Sequence, residues 1–223
     1  SVNHPHTFSI PLKTGSFHFP GAIREKRDDN CPCSNDGRAV DFPRHMSRAS
    51  RTERLDYLKD QLRKRVVILD GAMGTNIQKF RLGEGDYRGE RFADAECYPN
   101  DLKNNNDLLV LTRPDIILDI HRRFLDTGRT DILETCTFGA TSIGQHDYFW
   151  HRPEEGSHKD QQYFQEVVDA PELKALGREL NLAAAALARQ ACDEAEAADG
   201  KPRLVAGSIG PMPVTCSLSP DVN

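Results

Sequence analysis

Val66-Val67-Ile68-Leu69-Asp70-Gly71-Ala72-Met73-Gly74-Thr75 is the stretch from which the fold can be read. The unbroken aliphatic run over 66–69, mostly β-branched and too short for a buried helix, predicts a strand covered on both faces. It ends in an acid and a glycine-rich turn. A P-loop needs a GK[ST] ending and a dinucleotide fingerprint needs GxGxxG, so this turn is neither. What remains is a carboxylate at a strand end, followed by backbone N–H groups that can face a ligand. Such a pair can hold a zwitterion, with Asp70 on an ammonium and the amides on a carboxylate. A tight turn capped by an aspartate is the plainer alternative.

Outward from this run, strands and helices alternate. Leu55, Leu58 and Leu62 predict a short amphipathic helix over 53–63. Pro114-Asp115 opens a helix carrying Ile116, Ile117, Ile120 and Phe124, with Gly128 as its stop. Asp131-Ile132-Leu133-Glu134-Thr135 reads as a second strand and Arg203-Leu204-Val205-Ala206-Gly207 as a third. Between them Leu173, Leu176, Leu180, Ala184, Leu187 and Ala191 mark an Ala-rich helix ending near residue 195. Residues 76–106 read as loop, 150–171 as a polar insertion, and Asp193-Glu194-Ala195-Glu196 as a solvated helix end. This order predicts parallel strands joined by crossover helices. Asp70-Gly71, Glu134-Thr135, Ser208 and Gly210 follow the strands, and such residues mark the active face of a (β/α)8 barrel or a doubly wound sheet.

Residues 1–50 differ from the rest. Phe8, Ile10, Phe17 and Phe19 stand isolated among Pro, His, Ser, Arg and Asp. Such a segment cannot bury enough surface to offset its ordering entropy. The division is therefore a disordered N-terminal extension at 1–50 and a folded part at 51–223, with Met46, the first methionine, as the expected start of translation. Glu25, Asp28 and Asp29 argue against a targeting peptide. With 29 basic and 34 acidic side chains in 223 residues, the net charge of −5 supplies no basic field for nucleic acid. No apolar run approaches the roughly 18–20 residues of a membrane span. The six cysteines lack the spacing of a disulfide scaffold, which points to a reducing cytoplasm. Cys31-Pro32-Cys33 is a lone close pair, too little for a zinc motif.

The run at 66–75 resembles the opening strand and loop of the homocysteine S-methyltransferases. Asp86-Tyr87-Arg88-Gly89-Glu90-Arg91-Phe92-Ala93-Asp94, Asn105-Asn106-Asp107-Leu108-Leu109 and Arg113-Pro114-Asp115-Ile116 are similar to the homocysteine-binding domain of cobalamin-dependent methionine synthases. Glu134-Thr135-Cys136-Thr137-Phe138-Gly139-Ala140-Thr141-Ser142-Ile143, Gly207-Ser208-Ile209-Gly210-Pro211 and the end at Ser217-Leu218-Ser219-Pro220-Asp221-Val222-Asn223 continue the likeness, collinear over residues 60–223. The resemblance implies a TIM (β/α)8 barrel, of which these residues form the N-terminal portion, about three βα units, with the C-terminal part missing. It implies methyl transfer to the sulfur of homocysteine, giving methionine, with a zinc-held thiolate as nucleophile. The donor is methylcobalamin, recharged by 5-methyltetrahydrofolate, so the partners are homocysteine and the cobalamin- and folate-binding domains of the same or a companion chain. The substrate residues it implies are Asp70 toward the ammonium, Gly71 and Ala72 through their backbone, and Glu134.

The family's zinc cysteines belong to later strands. None of Cys97, Cys136, Cys192 or Cys216 matches them, so no metal ligand and no catalytic residue is assigned. Cys136 stands where the family carries Asn, Asn76 where it carries Met, and Met212 where it carries Thr. The alternatives are a stand-alone transferase using S-methylmethionine or betaine, and a non-catalytic truncated remnant; the isolated 223 residues are expected to be inactive. Limited proteolysis should strip residues 1–50 before anything beyond residue 60 is cut. Persistence of that segment under protease would refute the division.

Overall fold

The computed structural model describes residues 51–127, 129–150 and 161–211. The predicted extension at 1–50, the stop at Gly128, and Met212 and Cys216 lie outside the described residues.

The sheet is built around β1 (Ile132–Glu134), which pairs in parallel with β2 (Leu204–Ala206), Ile132 opposite Leu204 and Glu134 opposite Ala206. On the other side of β1 the predicted strand 66–69 is reduced to one parallel bridge, Leu69 to Ile132. Asp131 and Ile132 still donate to the Ile68 carbonyl at 2.9 and 3.1 Å, and Asp70 donates to the Ile132 carbonyl at 3.0 Å. The shortening has a visible cause. The N–H of Ile68 goes to the Asp131 carboxylate at 2.9 Å, which also receives a two-pronged contact from Arg65 at 2.6 and 2.8 Å. The expected burial on both faces is also corrected: Val66 is 83% exposed and Leu69 51%. This segment is an edge, with β1 as its neighbour among the described residues.

Helices supply most of the structure. α1 (Arg51–Lys64) precedes the edge segment, and α2 (Met73–Gln78) and α3 (Glu84–Arg88) occupy the region read as loop. A 3-10 turn at Asn106–Leu108 leads into α4 (Leu109–Thr112) and α5 (Pro114–Asp126). After β1 come α6 (Ser142–Phe149), α7 (Gln161–Asp169) and α8 (Pro171–Asp199). α7 turns part of the expected polar insertion into a helix, with Val167 fully buried. α5 and α8 both open on proline, whose fixed φ suits a first helical position, and α8 closes at Gly200 in the left-handed conformation (φ 72°).

α5 packs along α8. Ile116, Ile117 and Ile120 share a buried cluster with Leu173, Leu176, Leu180, Ala184 and Leu187, as the helical spacing predicts. Leu133 of β1 lies in a second cluster with Leu125, Ala188, Ala191 and Cys192, which places α8 against one face of the sheet. The result is a mostly helical structure with a small parallel sheet. No helix among the described residues is long and apolar enough to cross a membrane.

α1 departs from expectation. It buries no residue, and Leu55 and Leu62 are 41% and 60% exposed, so its apolar stripe is not what docks it. Arg54 does that, donating to both carboxylate oxygens of Glu196 at 2.7 and 3.1 Å and to the Arg203 carbonyl at 2.7 Å. Glu196 also accepts from Arg189 at 2.6 Å and from the Arg203 N–H at 2.7 Å. The run Asp193–Glu196 is therefore an ionic hub, correcting the solvated helix end. Burial alone would raise the Glu196 pKa, but the Arg54 and Arg203 hydrogen bonds and the Arg189 charge hold it below the usual range.

Glu196→Ala removes the carboxylate that Arg54 and Arg189 share and leaves each with the Arg203 carbonyl. It should cost about 2–3 kcal/mol in urea unfolding and make α1 the first of the helices to be cut by protease. Unchanged stability would show that the hub is incidental.

Candidate functional site

The C-terminal ends of the three parallel segments converge. Thr135 and Thr137 share a hydrogen bond at 2.7 Å, Thr137 donates to the Ser208 carbonyl at 2.9 Å, and the Ser208 N–H returns to Thr135 Oγ1 at 3.1 Å. Gly210 donates to the Phe138 carbonyl at 2.9 Å. The strand-end residues singled out in the sequence thus meet on one side of the sheet.

Asp70 sits at the edge of this group with its side chain 2% exposed. Its Oδ1 accepts the N–H of Glu134 at 2.6 Å, so two of the expected substrate residues are in direct contact. Burial pushes the Asp70 carboxyl up to about 6, opposed by the Glu134 N–H and reinforced by the Glu134 charge. Glu134 is half-buried and alternates with Leu133, so its side chain leaves the sheet on the face opposite α8. Behind Asp70 lies His121 of α5, fully buried, which burial holds down to about 4.

Gly71 and Ala72 form the turn into α2. Ala72 adopts the left-handed conformation (φ 52°, ψ 37°), unusual for a residue with a Cβ. Its carbonyl receives both the backbone N–H and the side-chain amide of Asn76, at 3.0 and 3.1 Å. No described residue accepts a hydrogen bond from the N–H of Gly71 or Ala72.

The sequence reading missed Asp107 as a site residue. It is 8% exposed, its Oδ2 accepts the Gly139 N–H at 2.9 Å, and burial pushes its carboxyl up to about 6 against the hydrogen bonds from Gly139 and Phe138. A Cβ at Gly139 would stand 2.8 Å from that oxygen, so a larger residue there would have to displace the carboxylate. Next to it Asn105 and Gln145 exchange side-chain hydrogen bonds at 2.8 and 3.3 Å, and Gln145 also donates to the Gly139 carbonyl at 3.0 Å. The Tyr87 hydroxyl donates to Asn106 Oδ1 at 3.1 Å. Asn105-Asn106-Asp107 thus braces the loop between β1 and α6. The available signal was three polar residues set directly against the apolar Leu108-Leu109-Val110.

Cys136 is 4% exposed and donates to the Asn106 carbonyl at 3.5 Å. Burial, with the charges of Asp107 and Glu134, pushes its thiol far up, so it packs as a small hydrophobe and is no nucleophile. Burial likewise pushes Cys192 up to about 12. Cys97 donates to Asp94 at 3.1 Å. Among the described residues no three His, Cys, Asp or Glu side chains could hold a metal ion, so they do not fit the zinc that the resemblance implies.

A family model, homocysteine S-methyltransferase, matches residues 67–223. The chain belongs to this family. Solved structures similar to this homocysteine S-methyltransferase family member include the homocysteine methyltransferase MmuM from Escherichia coli in its metallated form. That match has 22% identity and a TM-score of 0.44, and covers 71% of this chain and 41% of that one. The oxidized form matches at 22% identity and a TM-score of 0.45, covering 69% of this chain and 40% of that one. The family member therefore spans about two fifths of the length of these solved chains.

Asp107 generates a pH-dependent prediction. Its folded pKa of about 6 lies above the unfolded value, near 3.9. Its favourable contribution is thus full below about pH 4 and lost as pH rises through 6. Asp107→Asn keeps an acceptor for Gly139 and removes the buried charge. It should raise stability at pH 7.5 by on the order of 1–3 kcal/mol and leave it nearly unchanged at pH 4. Thermal melts of both chains at the two pH values check this.

Proposed function

We propose that this chain carries the amino-acid end of a homocysteine site in a (β/α)8 barrel of the methionine-synthase type, whose reaction methylates the homocysteine sulfur to give methionine. The observation that carries the reading is the contact of Asp70 with Glu134 at the ends of adjacent parallel strands, beside a turn whose N–H groups are untaken. At neutral pH Asp70 is ionised and accepts from the substrate ammonium, a charge-assisted bond strengthened by burial. The N–H groups of Gly71 and Ala72 receive the substrate carboxylate, and Glu134 supplies a second negative charge on the ammonium side.

At the sulfur end the family chemistry uses zinc to keep the thiol as thiolate. The described residues offer no ligand set for it. Methylcobalamin, recharged by 5-methyltetrahydrofolate on separate domains, is the proposed donor. Asp86-Tyr87-Arg88-Gly89 and Asn105-Asn106-Asp107 favour it over S-methylmethionine or betaine. A second reading, a non-catalytic remnant, draws on the exposed Val66, Phe138 and Ile209, at 83%, 63% and 83%, around the strand ends.

Titration calorimetry with L-homocysteine at pH 7.5 tests the assignment. Asp70→Asn should weaken binding by roughly 1.5–3 kcal/mol while leaving the melting temperature level or higher, since the amide still accepts from Glu134. Wild-type affinity should also fall between pH 7 and pH 5, as Asp70 protonates near 6. Equal affinities for the two chains would remove Asp70 from the site.

A further inference from the structure

His121 is fully buried, and neither ring nitrogen has a hydrogen-bond partner among the described residues. Leaving both polar atoms of one imidazole unsatisfied in a core costs more than an apolar residue of the same size would. The cost falls at a particular place. Nδ1 lies 4.0 Å from Asp70 Oδ2, on the side of the carboxylate that Glu134 does not engage. That separation exceeds the hydrogen-bond range of about 2.7–3.2 Å, and a shift of about 1 Å closes it. Hydrogen bonds at binding and catalytic sites are often long without ligand and tighten when it arrives.

We propose that His121 is the positioning residue of Asp70: its Nδ1–H donates to Oδ2 while the Glu134 N–H holds Oδ1, so that the carboxylate is fixed from two sides with its remaining lone pairs directed to a cationic group. The opposite tautomer would turn the Nδ1 lone pair toward a carboxylate oxygen, acceptor against acceptor, so the arrangement selects Nδ1–H. Burial keeps the ring neutral, and the contact is a hydrogen bond between a neutral donor and a carboxylate, not an ion pair. Among the described residues the ionisable group acting on the pair is Glu134, beside Asp70. Held in this way, Asp70 does not have to give up rotamer freedom when ligand binds. That consequence for binding rests on the assignment of Asp70 to the substrate ammonium made above; the hydrogen bond does not.

The test uses the full chain, with 15N-labelled histidine and 13C-labelled aspartate carboxyl groups, in three versions: wild type, His121→Leu and His121→Asn. The asparagine side-chain N–H can stand where Nδ1–H stands, whereas leucine fills the space without a donor. We expect the His121 signals of the Nδ1–H tautomer in the wild type near neutral pH. The Asp70 titration midpoint should rise in His121→Leu and return toward the wild-type value in His121→Asn, with Glu134 present in all three. Binding of L-homocysteine should weaken roughly tenfold in His121→Leu and recover in His121→Asn. The leucine variant should melt no lower than wild type, which separates positioning from a purely structural role. An Nε2–H tautomer, or one Asp70 midpoint common to all three chains, overturns the inference. The expected NMR pattern in a wild-type chain that binds no homocysteine upholds His121 as the positioning residue and instead removes the ammonium assignment of Asp70.

Discussion

The hydrogen bond from the Glu134 N–H to Asp70 Oδ1, at 2.6 Å, joins the edge segment to β1 through a side chain at the point where backbone pairing has run out. At the other end of the same segment the exchange runs in the opposite direction, with the Asp131 carboxylate taking the N–H of Ile68. Two aspartates therefore do the work of ladder carbonyls on either side of a single backbone bridge. The turn at Gly71-Ala72 and the position of Asp70 over α5 both follow from where this side-chain bond fixes the end of the strand.

The two ends of the sheet treat charge differently. At the end where β2 begins, Glu196 and Asp199 meet Arg54, Arg189 and Arg203, so every buried charge there has an opposite neighbour. At the end where the strands finish, Asp70 and Asp107 are buried, accept hydrogen bonds from the backbone N–H groups of Glu134 and Gly139, and have no cationic partner among the described residues, with pKa values near 6. Compensated charge holds elements together, whereas uncompensated carboxylates remain available to a cation from solution. In barrel-type folds the same division separates stability at the strand starts from chemistry at the strand ends.

What could be read from the sequence followed the strength of each local signal. α5 and α8 were legible because their apolar positions repeat at helical spacing, in α5 after a proline start, and both repeats are buried against each other. β1 and β2 were legible as short aliphatic runs. The run at 66–69 has the same composition, yet it pairs through one residue, because pairing depends on what lies across the sheet and on where the Asp131 carboxylate reaches. Asp70 and Glu134 were legible as acids at strand ends, and the structure brings them into contact. Asp107 and His121 were not, since each sits inside a segment whose pattern is fully explained by helix or loop. Their significance comes from partners 32 residues away at Gly139 and across the fold at Asp70.

α1 is tethered by arginine forks near both of its ends, and solvent reaches the two unequally. Arg54 and Glu196 are 15% and 21% exposed, whereas Arg65, just past the C-terminus of the helix, is 41% exposed in its pair with Asp131. Mobile ions screen the second contact more than the first, through Arg65, since Asp131 itself is 13% exposed. Rising ionic strength therefore loosens the helix from its C-terminal side, where the chain passes directly into Val66, while the hydrogen bonds of Ile68 to Asp131 and of Glu134 to Asp70 still hold the edge segment. The salinity of the surroundings, acting on one exposed guanidinium, thus bears on how firmly the end of α1 is held to the start of the sheet.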